Sequence, residues 1–220
     1  AGATLDDLQS YHDTEIEVRD REGVERSPDD ILAAAATGDV VFLTAGDTMI
    51  STTHVDLRLR AHDRGVETRV IHGTTAQAAA SSLTGLQNYR FGKATTLPFE
   101  RSHGGDGVPA SVPETIADNR DRGLHTLVFL DIDAKNDDYM RADAAADRLA
   151  GAYEDALAVV VARAGSPDPV VRADRLSTLA TESFGDPLHL LVVPGTLHHV
   201  ERDALAALGG APEDLLDDYL

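Results

Sequence analysis

Hydrophobic and polar positions along the chain follow two alternating patterns. Strongly apolar segments, typical of buried strands, occupy residues 40–43, 125–132, 156–162 and 189–193, and the first of them is unbroken. Between these runs, apolar residues recur at the spacing of helices. Strands that alternate with helices over the full length predict parallel βαβ units. The pattern therefore predicts an α/β protein with mainly parallel sheets.

Weaker patterns predict the remaining elements. The predicted helices cover residues 4–11, 31–38, 50–64, 76–86, 112–122, 141–149, 172–182 and 200–208, and shorter strands cover 15–18, 67–72 and 93–99. Residues 100–110, rich in Gly, form the clearest predicted loop. We expect a domain boundary near Phe91 and Gly92, which separates an N-terminal α/β lobe, residues 1–91, from a C-terminal α/β lobe, residues 92–220. The interface of two lobes is a favoured ligand site.

Small residues follow several of the predicted strands, where a ligand can approach the backbone. The four places are Gly46-Asp47, Gly73-Thr74-Thr75, Arg163-Ala164-Gly165 and Pro194-Gly195. Asp47 has two interpretations. Its carboxylate can accept hydrogen bonds from the amine or hydroxyls of a ligand, or it can simply cap a turn, which Asp does often.

The charge balance changes the picture of the surface. Asp and Glu number 38 against 19 Lys plus Arg, so the formal net charge is −19. Lys93 and Lys135 are the lysines of the sequence. Abundant Asp and Ala with few lysines resemble the proteins of halophiles, in which concentrated salt screens repulsion between surface charges. The same balance argues against nucleic-acid binding, which favours a basic surface.

Several classes of site are excluded or disfavoured. The chain has no cysteine, so thiolate metal sites and a cysteine nucleophile are excluded. Neither of the common glycine-rich nucleotide signatures occurs. The histidines have no metal-ligand spacing, and His189, at the head of an apolar run, is read as a core histidine. No apolar run reaches the length of a membrane helix and no signal peptide is visible, so we expect a cytoplasmic protein without a metal.

Longer motifs resemble the diphthine synthase family. They are LTAGDTMISTTHVDLRLRA, TGLQNYRFGKATTLPF, GLHTLVFLDI, ARAGSPDPVVRA and FGDPLHLLVVPGTLHHVE, in this order along the chain. That family is part of the tetrapyrrole-methylase-like class, in which two α/β domains hold S-adenosylmethionine in the cleft between them. The resemblance implies an enzyme of diphthamide biosynthesis that methylates the amino group of a modified histidine of elongation factor 2, and a homodimer.

The resemblance also implies which residues contact the cofactor, which leaves as S-adenosylhomocysteine. They are Asp47, Ile50, Thr75, Ala76, Leu130, Ala164 and His189. His189 thereby becomes a predicted cofactor neighbour. No residue is assigned as the catalytic base. The family begins with a strand and a glycine-rich loop that this sequence lacks, so we expect an incomplete cofactor pocket and a less stable N-terminal lobe.

Two other interpretations remain open at this stage. Within the same class, the chain could be a precorrin or ribosomal RNA methyltransferase. From another class, it could be a module that binds a nucleotide-like ligand without chemistry. Methyl transfer to elongation factor 2 distinguishes the diphthine synthase interpretation from these two.

Overall fold

The computed structural model describes residues 3–220, which form two compact units, residues 3–76 and residues 77–220. The chain divides between residues 76 and 77, whereas the sequence analysis placed the domain boundary near Phe91 and Gly92. Residues 77–91 group with the C-terminal unit because Ala80 and Leu86 are fully buried in one of its two hydrophobic clusters.

The N-terminal unit is built from short helices. They are α1 (Leu5–His12), α2 (Arg21–Glu25), α3 (Asp29–Ala35) and α4 (His54–Asp63). The helices predicted over residues 4–11, 31–38 and 50–64 are confirmed by α1, α3 and α4. Helix α1 begins at a capping box, in which the Thr4 hydroxyl accepts from the N–H of Asp7 while the Asp7 carboxylate accepts from the N–H of Thr4.

The strands predicted for this unit are absent. Residues 3–76 contain no strand, although residues 15–18, 40–43 and 67–72 were predicted to form them. Val41 and Ile71, expected in a buried sheet, are 79% and 68% exposed. An apolar run becomes a strand only when a neighbouring segment pairs with its backbone, and residues 40–43 make no backbone–backbone hydrogen bond to other described residues. These three predictions are wrong.

The C-terminal unit contains a five-stranded sheet. Its strands are β1 (Thr95–Leu97), β2 (Thr126–Leu130), β5 (Leu157–Ala162), β6 (Val170–Arg175) and β7 (His189–Val193), in the order β1-β2-β7-β5-β6. The α/β class is confirmed, but the sheet is not mainly parallel. Only β1 and β2 pair in parallel, and the other three pairs are antiparallel. A separate two-stranded ribbon joins β3 (Ile132–Asp133) to β4 (Asp138–Tyr139).

Helices cover both faces of the sheet. They are α5 (Ala76–Thr84), α6 (Glu100–His103), α7 (Ser111–Arg120), α8 (Ala142–Ala152), α9 (Leu176–Leu179), α10 (His199–Gly209) and α11 (Glu213–Asp217), with a 3₁₀ turn at Asn88–Arg90. Helix α6 opens the segment that was predicted as a loop. Side chains of β5 alternate between two hydrophobic clusters: Val160 packs with α7 and α8, whereas Val159 and Val161 pack with α10 and α11. Every residue of β5 is buried, which explains its unbroken apolar sequence.

The predicted helix over residues 172–182 is also wrong. Residues 170–175 form the edge strand β6, which pairs in register with β5 from Ala162↔Val170 to Leu157↔Arg175, and only Leu176–Leu179 are helical. Short-range periodicity could not reveal this pairing, since the partner strand supplies the hydrogen bonds. The polar side chains of Arg172 and Glu182 instead form an ion pair beside the strand, at 2.9 Å.

A buried carboxylate joins three parts of the C-terminal unit. Glu201, in the first turn of α10, is fully buried and accepts hydrogen bonds from Arg90 Nη1 at 2.7 Å and from His125 Nε2 at 3.0 Å. It also accepts from the N–H groups of Gln87 and His198, both at 2.8 Å. Burial alone would raise the pKa of Glu201, but these hydrogen bonds outweigh it and hold the pKa below its ordinary value.

Glu201→Ala leaves a half-buried guanidinium, a buried imidazole and two N–H groups without their acceptor. Removing one partner of a buried charge pair costs about 3–5 kcal/mol, so we expect a loss of that size in the free energy of unfolding. Urea titration in molar KCl, followed by circular dichroism, measures it. Glu213→Ala is the control, because Glu213 is exposed and its ion pair with Arg202 should contribute less than about 1 kcal/mol. Equal losses in the two variants would contradict the assignment.

Candidate functional site

Among the predicted residues of the N-terminal unit, Asp47 has a buried carboxylate with hydrogen-bond partners. The Asp47 carboxylate accepts from the N–H of Met49 and lies against His72 Nδ1, both at 2.8 Å, and its side chain is only 5% exposed. The hydrogen bond from Met49, followed by the contact with His72, lowers the pKa of Asp47. Asp47 therefore carries a negative charge at neutral pH.

Two glycines bring a second predicted segment against this turn. Gly46 has φ +75°, and a Cβ placed on Gly73 would lie 2.1 Å from the carbonyl oxygen of Gly46. Only glycine at position 73 permits that approach, so residues 73–76 begin beside Asp47. Thr75 is half-buried and Ala76, the first residue of α5, is exposed. Ile50 follows Asp47 in the same loop, and its side chain is exposed.

The three predicted residues of the C-terminal unit lie at one edge of the five-stranded sheet. Leu130 is the last residue of β2, and Ala164 lies two residues beyond β5. His189 is the first residue of β7 and pairs with Ala162. Because β7 runs antiparallel to both β2 and β5, its beginning lies beside their ends. The structure thus brings Leu130, Ala164 and His189 to the same edge.

The same antiparallel pairing separates Pro194 and Gly195 from this edge. They follow the other end of β7, where Val193 pairs with Thr126 at the beginning of β2. There the N–H of Gly195 donates to His125 Nδ1 at 3.1 Å. The fourth small-residue segment noted in the sequence therefore does not belong to the candidate site.

The ring of His189 is engaged entirely within the protein. His189 is 4% exposed, its Nδ1 accepts from the N–H of Ala142, and its Nε2 donates to the carbonyl of Asp186, both at 3.0 Å. Burial is the main reason that the pKa of His189 lies below its ordinary value, so the imidazole is neutral at neutral pH. A ligand at this edge can therefore meet His189 through groups other than its ring nitrogens.

The residues of each unit fit part of the chemistry of a nucleoside with a charged tail. In the N-terminal unit, the ionised carboxylate of Asp47 suits ligand hydroxyls or a cationic amine, and the exposed Ile50 offers apolar surface. In the C-terminal unit, Leu130 belongs to a hydrophobic cluster and is 7% exposed. Sequence analysis missed His72, the partner of Asp47, and Arg163, which binds backbone carbonyls beside Ala164. The available signals were a histidine that closes the predicted strand 67–72 and a cation that directly follows an apolar strand.

A large open cavity of about 1300 Å³ lies elsewhere in the N-terminal unit. Apolar side chains such as Leu8, Val40 and Phe42 line it, and none of the seven predicted cofactor residues does. Volume alone does not identify a ligand, so the seven predicted cofactor residues remain the candidates. Within residues 3–220, no cluster of three or more His, Asp or Glu side chains could hold a metal ion, and no helix is long and apolar enough to cross a membrane.

Comparisons with known proteins agree on one family. The family of tetrapyrrole (corrin/porphyrin) methylases matches residues 3–180. A diphthine synthase of Halorubrum lacusprofundi is 69% identical, with 99% of this chain and 85% of the relative aligned. A diphthine synthase of Haloquadratum walsbyi is 68% identical over 98% and 83%. Both relatives come from halophilic archaea, as the acidic composition led us to expect.

One solved structure gives the same result for the fold. A crystal structure of a diphthine synthase has a TM-score of 0.88 and 34% sequence identity, and the match covers 99% of this chain and 84% of that one. The resemblance seen in the sequence is confirmed by these matches.

We expect acid to destabilise the protein through His189. Its folded-state pKa is lowered, so below about pH 6.5, the ordinary histidine pKa, the unfolded state binds more protons than the folded state. The free energy of unfolding then falls as pH falls, by at most ~1.4 kcal/mol per pH unit for each such histidine. His125, whose pKa burial also lowers, contributes in the same direction.

Urea unfolding from pH 7.5 to pH 5.5 tests this, with molar KCl present to screen repulsion between surface carboxylates. His189→Gln should reduce the slope of unfolding free energy against pH. His199→Gln, at an exposed position, is the control and should leave that slope unchanged. A slope that His189→Gln does not alter would contradict the prediction.

Proposed function

The chain belongs to the diphthine synthase family, whose members are S-adenosylmethionine-dependent methyltransferases of diphthamide biosynthesis, and on that premise we propose that it methylates elongation factor 2. The proposed acceptor is the amino group of the modified histidine of that factor. The observation that carries the proposal is the extent of the similarity, since 69% identity spans 99% of the chain and therefore both of its units.

Seven residues are proposed to contact the cofactor. They are Asp47, Ile50, Thr75, Ala76, Leu130, Ala164 and His189. Two features of the molecule support this assignment: the close approach of Gly73 to the Asp47 turn, and the common sheet edge of Leu130, Ala164 and His189. In this proposal Asp47 would accept hydrogen bonds from the cofactor, and the apolar residues would contact its apolar surface.

The proposed reaction mainly requires that the cofactor and the acceptor amine be positioned beside each other. When bound, S-adenosylmethionine supplies a methyl group on a sulfonium, which is already a good leaving group. The residues proposed to contact the cofactor would hold it in position beside the acceptor amine. That amine must lose a proton before it attacks, and a carboxylate or a water molecule can accept it. None of the described side chains is assigned this role.

The resemblance to the family also leads us to propose a homodimer that acts in the cytoplasm. S-adenosylhomocysteine is the proposed product, and elongation factor 2 is the proposed protein partner. Neither nucleic acid nor a membrane has a part in the proposed reaction. Sedimentation velocity in molar KCl measures the oligomeric state, and a monomer at micromolar concentration would contradict the dimer.

Methyl transfer is the direct test of the proposed function. Archaeal elongation factor 2 that carries the unmethylated diphthamide precursor is incubated with radiolabelled S-adenosylmethionine and the chain in molar KCl. We expect label on the factor, and none when the modified histidine is replaced by Ala. Label on ribosomal RNA or a precorrin instead would favour another methylase of the same class. Binding of S-adenosylhomocysteine without transfer to any acceptor would favour a non-catalytic ligand-binding module.

Asp47→Asn separates a ligand contact from a turn cap. The amide oxygen of Asn can still accept from the N–H of Met49, so the turn should persist, while the negative charge is lost. We expect the dissociation constant of S-adenosylhomocysteine, measured by calorimetry, to rise at least about tenfold, since a hydrogen bond to a charged group contributes ~1.5–3 kcal/mol.

Asp137→Asn is the matched control. Asp137 is exposed on the acidic loop between β3 and β4 and has φ +52°, a conformation that Asn tolerates. Its replacement removes the same charge at an exposed position that is not among the candidate residues, and the dissociation constant should stay unchanged. Equal effects of the two substitutions would remove Asp47 from the proposed site.

A further inference from the structure

Arg163, between β5 and Ala164, has an unusual backbone conformation. Arg163 has φ +51°, the left-handed region that non-glycine residues seldom adopt. Such conformations persist where surrounding contacts fix them, and they concentrate at functional sites. Here the contacts come from the segment that precedes β7, residues 184–188, which we call the 184–188 turn.

Arg163 binds this turn through both its backbone and its guanidinium. The N–H of Arg163 donates to the carbonyl of Leu188 at 2.9 Å. Its Nη1 donates to the carbonyl of Phe184 at 2.6 Å and reaches that of Asp186 at 3.4 Å. Its Nη2 reaches the carbonyl of Asp168 at 3.4 Å. One planar group thus joins the turn after β5 to the turn before β7.

The packing at this contact leaves no space for another side chain. Gly185 has φ +77°, and a Cβ added to it would lie 2.5 Å from Arg163 Nη1. The guanidinium therefore lies directly on the backbone of the turn. Arg141, at the start of α8, binds the same glycine from its carbonyl side, with Nη1 donating to the oxygen at 3.2 Å.

The carbonyl of Asp186 links Arg163 to His189. It accepts from His189 Nε2 at 3.0 Å and from Arg163 Nη1 at 3.4 Å. In sequence, Arg163 directly precedes Ala164, and the turn that it binds leads directly into His189. Two of the residues proposed to contact the cofactor are therefore tied to one guanidinium, which is not among those residues.

We propose that Arg163 is a positioning residue for S-adenosylmethionine: its guanidinium fixes the 184–188 turn against the end of β5 and so holds Ala164 and His189 in place for the cofactor. The inference rests on the proposed function. It predicts that weakening the contact between Arg163 and the turn reduces cofactor affinity, even though Arg163 does not touch the cofactor. A merely structural role would instead reduce stability and leave affinity unchanged.

Arg163→Lys and Arg163→Gln test the inference. Lys keeps the charge but is a single ammonium that cannot bridge the carbonyls of Phe184, Asp186 and Asp168 as a planar fork does. Gln removes the charge as well. Calorimetric titration of S-adenosylhomocysteine in molar KCl gives the dissociation constant, and thermal unfolding of the free protein gives stability. We expect Lys to weaken binding about tenfold and Gln to weaken it further.

Arg172→Lys is the matched control. Arg172 also binds backbone carbonyls, those of Ala173 at 2.7 Å and Gly210 at 3.0 Å, and pairs with Glu182. It lies on the edge strand β6, which contains none of the seven candidate residues. We expect its replacement to lower the midpoint of thermal unfolding while the dissociation constant changes by less than about twofold, as for independent sites.

The outcomes separate the two proposals. Failure of the unchanged chain to bind S-adenosylhomocysteine would overturn the proposed function and this inference with it. Binding by the unchanged chain together with unaltered affinity in both Arg163 variants would overturn this inference alone. An equal loss of affinity in Arg172→Lys would also overturn it, because the effect would then follow general stability. If Arg163→Gln does not fold, Arg163→Lys decides by the same comparison.

Discussion

Burial of β5 on both faces is the constraint on which the C-terminal unit depends. A strand in the middle of a covered sheet must be apolar throughout, and Leu157–Ala162 meets this requirement at every position. Alternate side chains enter two separate clusters, so the helices on each face pack against the same strand. The helices on both faces hold the sheet in place. Polar groups lie at its two edges, where the central strands begin and end.

Each of these edges is organised by a charged group that binds backbone. At one edge, Glu201 collects donors from the 3₁₀ turn, from His125 and from the start of α10. At the other, Arg163 collects carbonyls from the 184–188 turn. The two arrangements are complementary, since a carboxylate satisfies N–H groups and a guanidinium satisfies carbonyls that the sheet leaves unpaired. Only the second edge carries residues that the family resemblance connects with a cofactor.

The acidic surface contributes little to the fold through individual ion pairs. Several ion pairs of the described residues join two exposed groups, such as Arg60 with Asp56 and Arg26 with Glu22, and these contribute little to stability. The excess of carboxylates over cations, 38 against 19, matters instead for the solvent in which the fold operates. Concentrated salt screens their repulsion, which agrees with the halophilic sources of the aligned relatives.

The sequence by itself determined the α/β class, the strongest strands and most helices. His189–Val193 was predicted with the bounds that the structure has, because its apolar run ends at Pro194 and because β2 and β5 supply the backbone partners that a strand requires. The family resemblance supplied the candidate residues. Neither showed that Leu130, Ala164 and His189 share an edge while Pro194 and Gly195 lie at the opposite one, since that follows from antiparallel pairing between distant segments.

Tertiary structure alone decided the remaining features. Residues 170–175 are a strand because β5 lies beside them, and residues 40–43 are not a strand because no described segment pairs with their backbone. His72 contacts Asp47, and Arg163 binds the 184–188 turn, because the fold brings together residues that are far apart in the chain. The physical reason is the same in each case. Local sequence sets the hydrophobic pattern of a segment, but the hydrogen-bonding partner of its backbone and side chains is chosen by the fold.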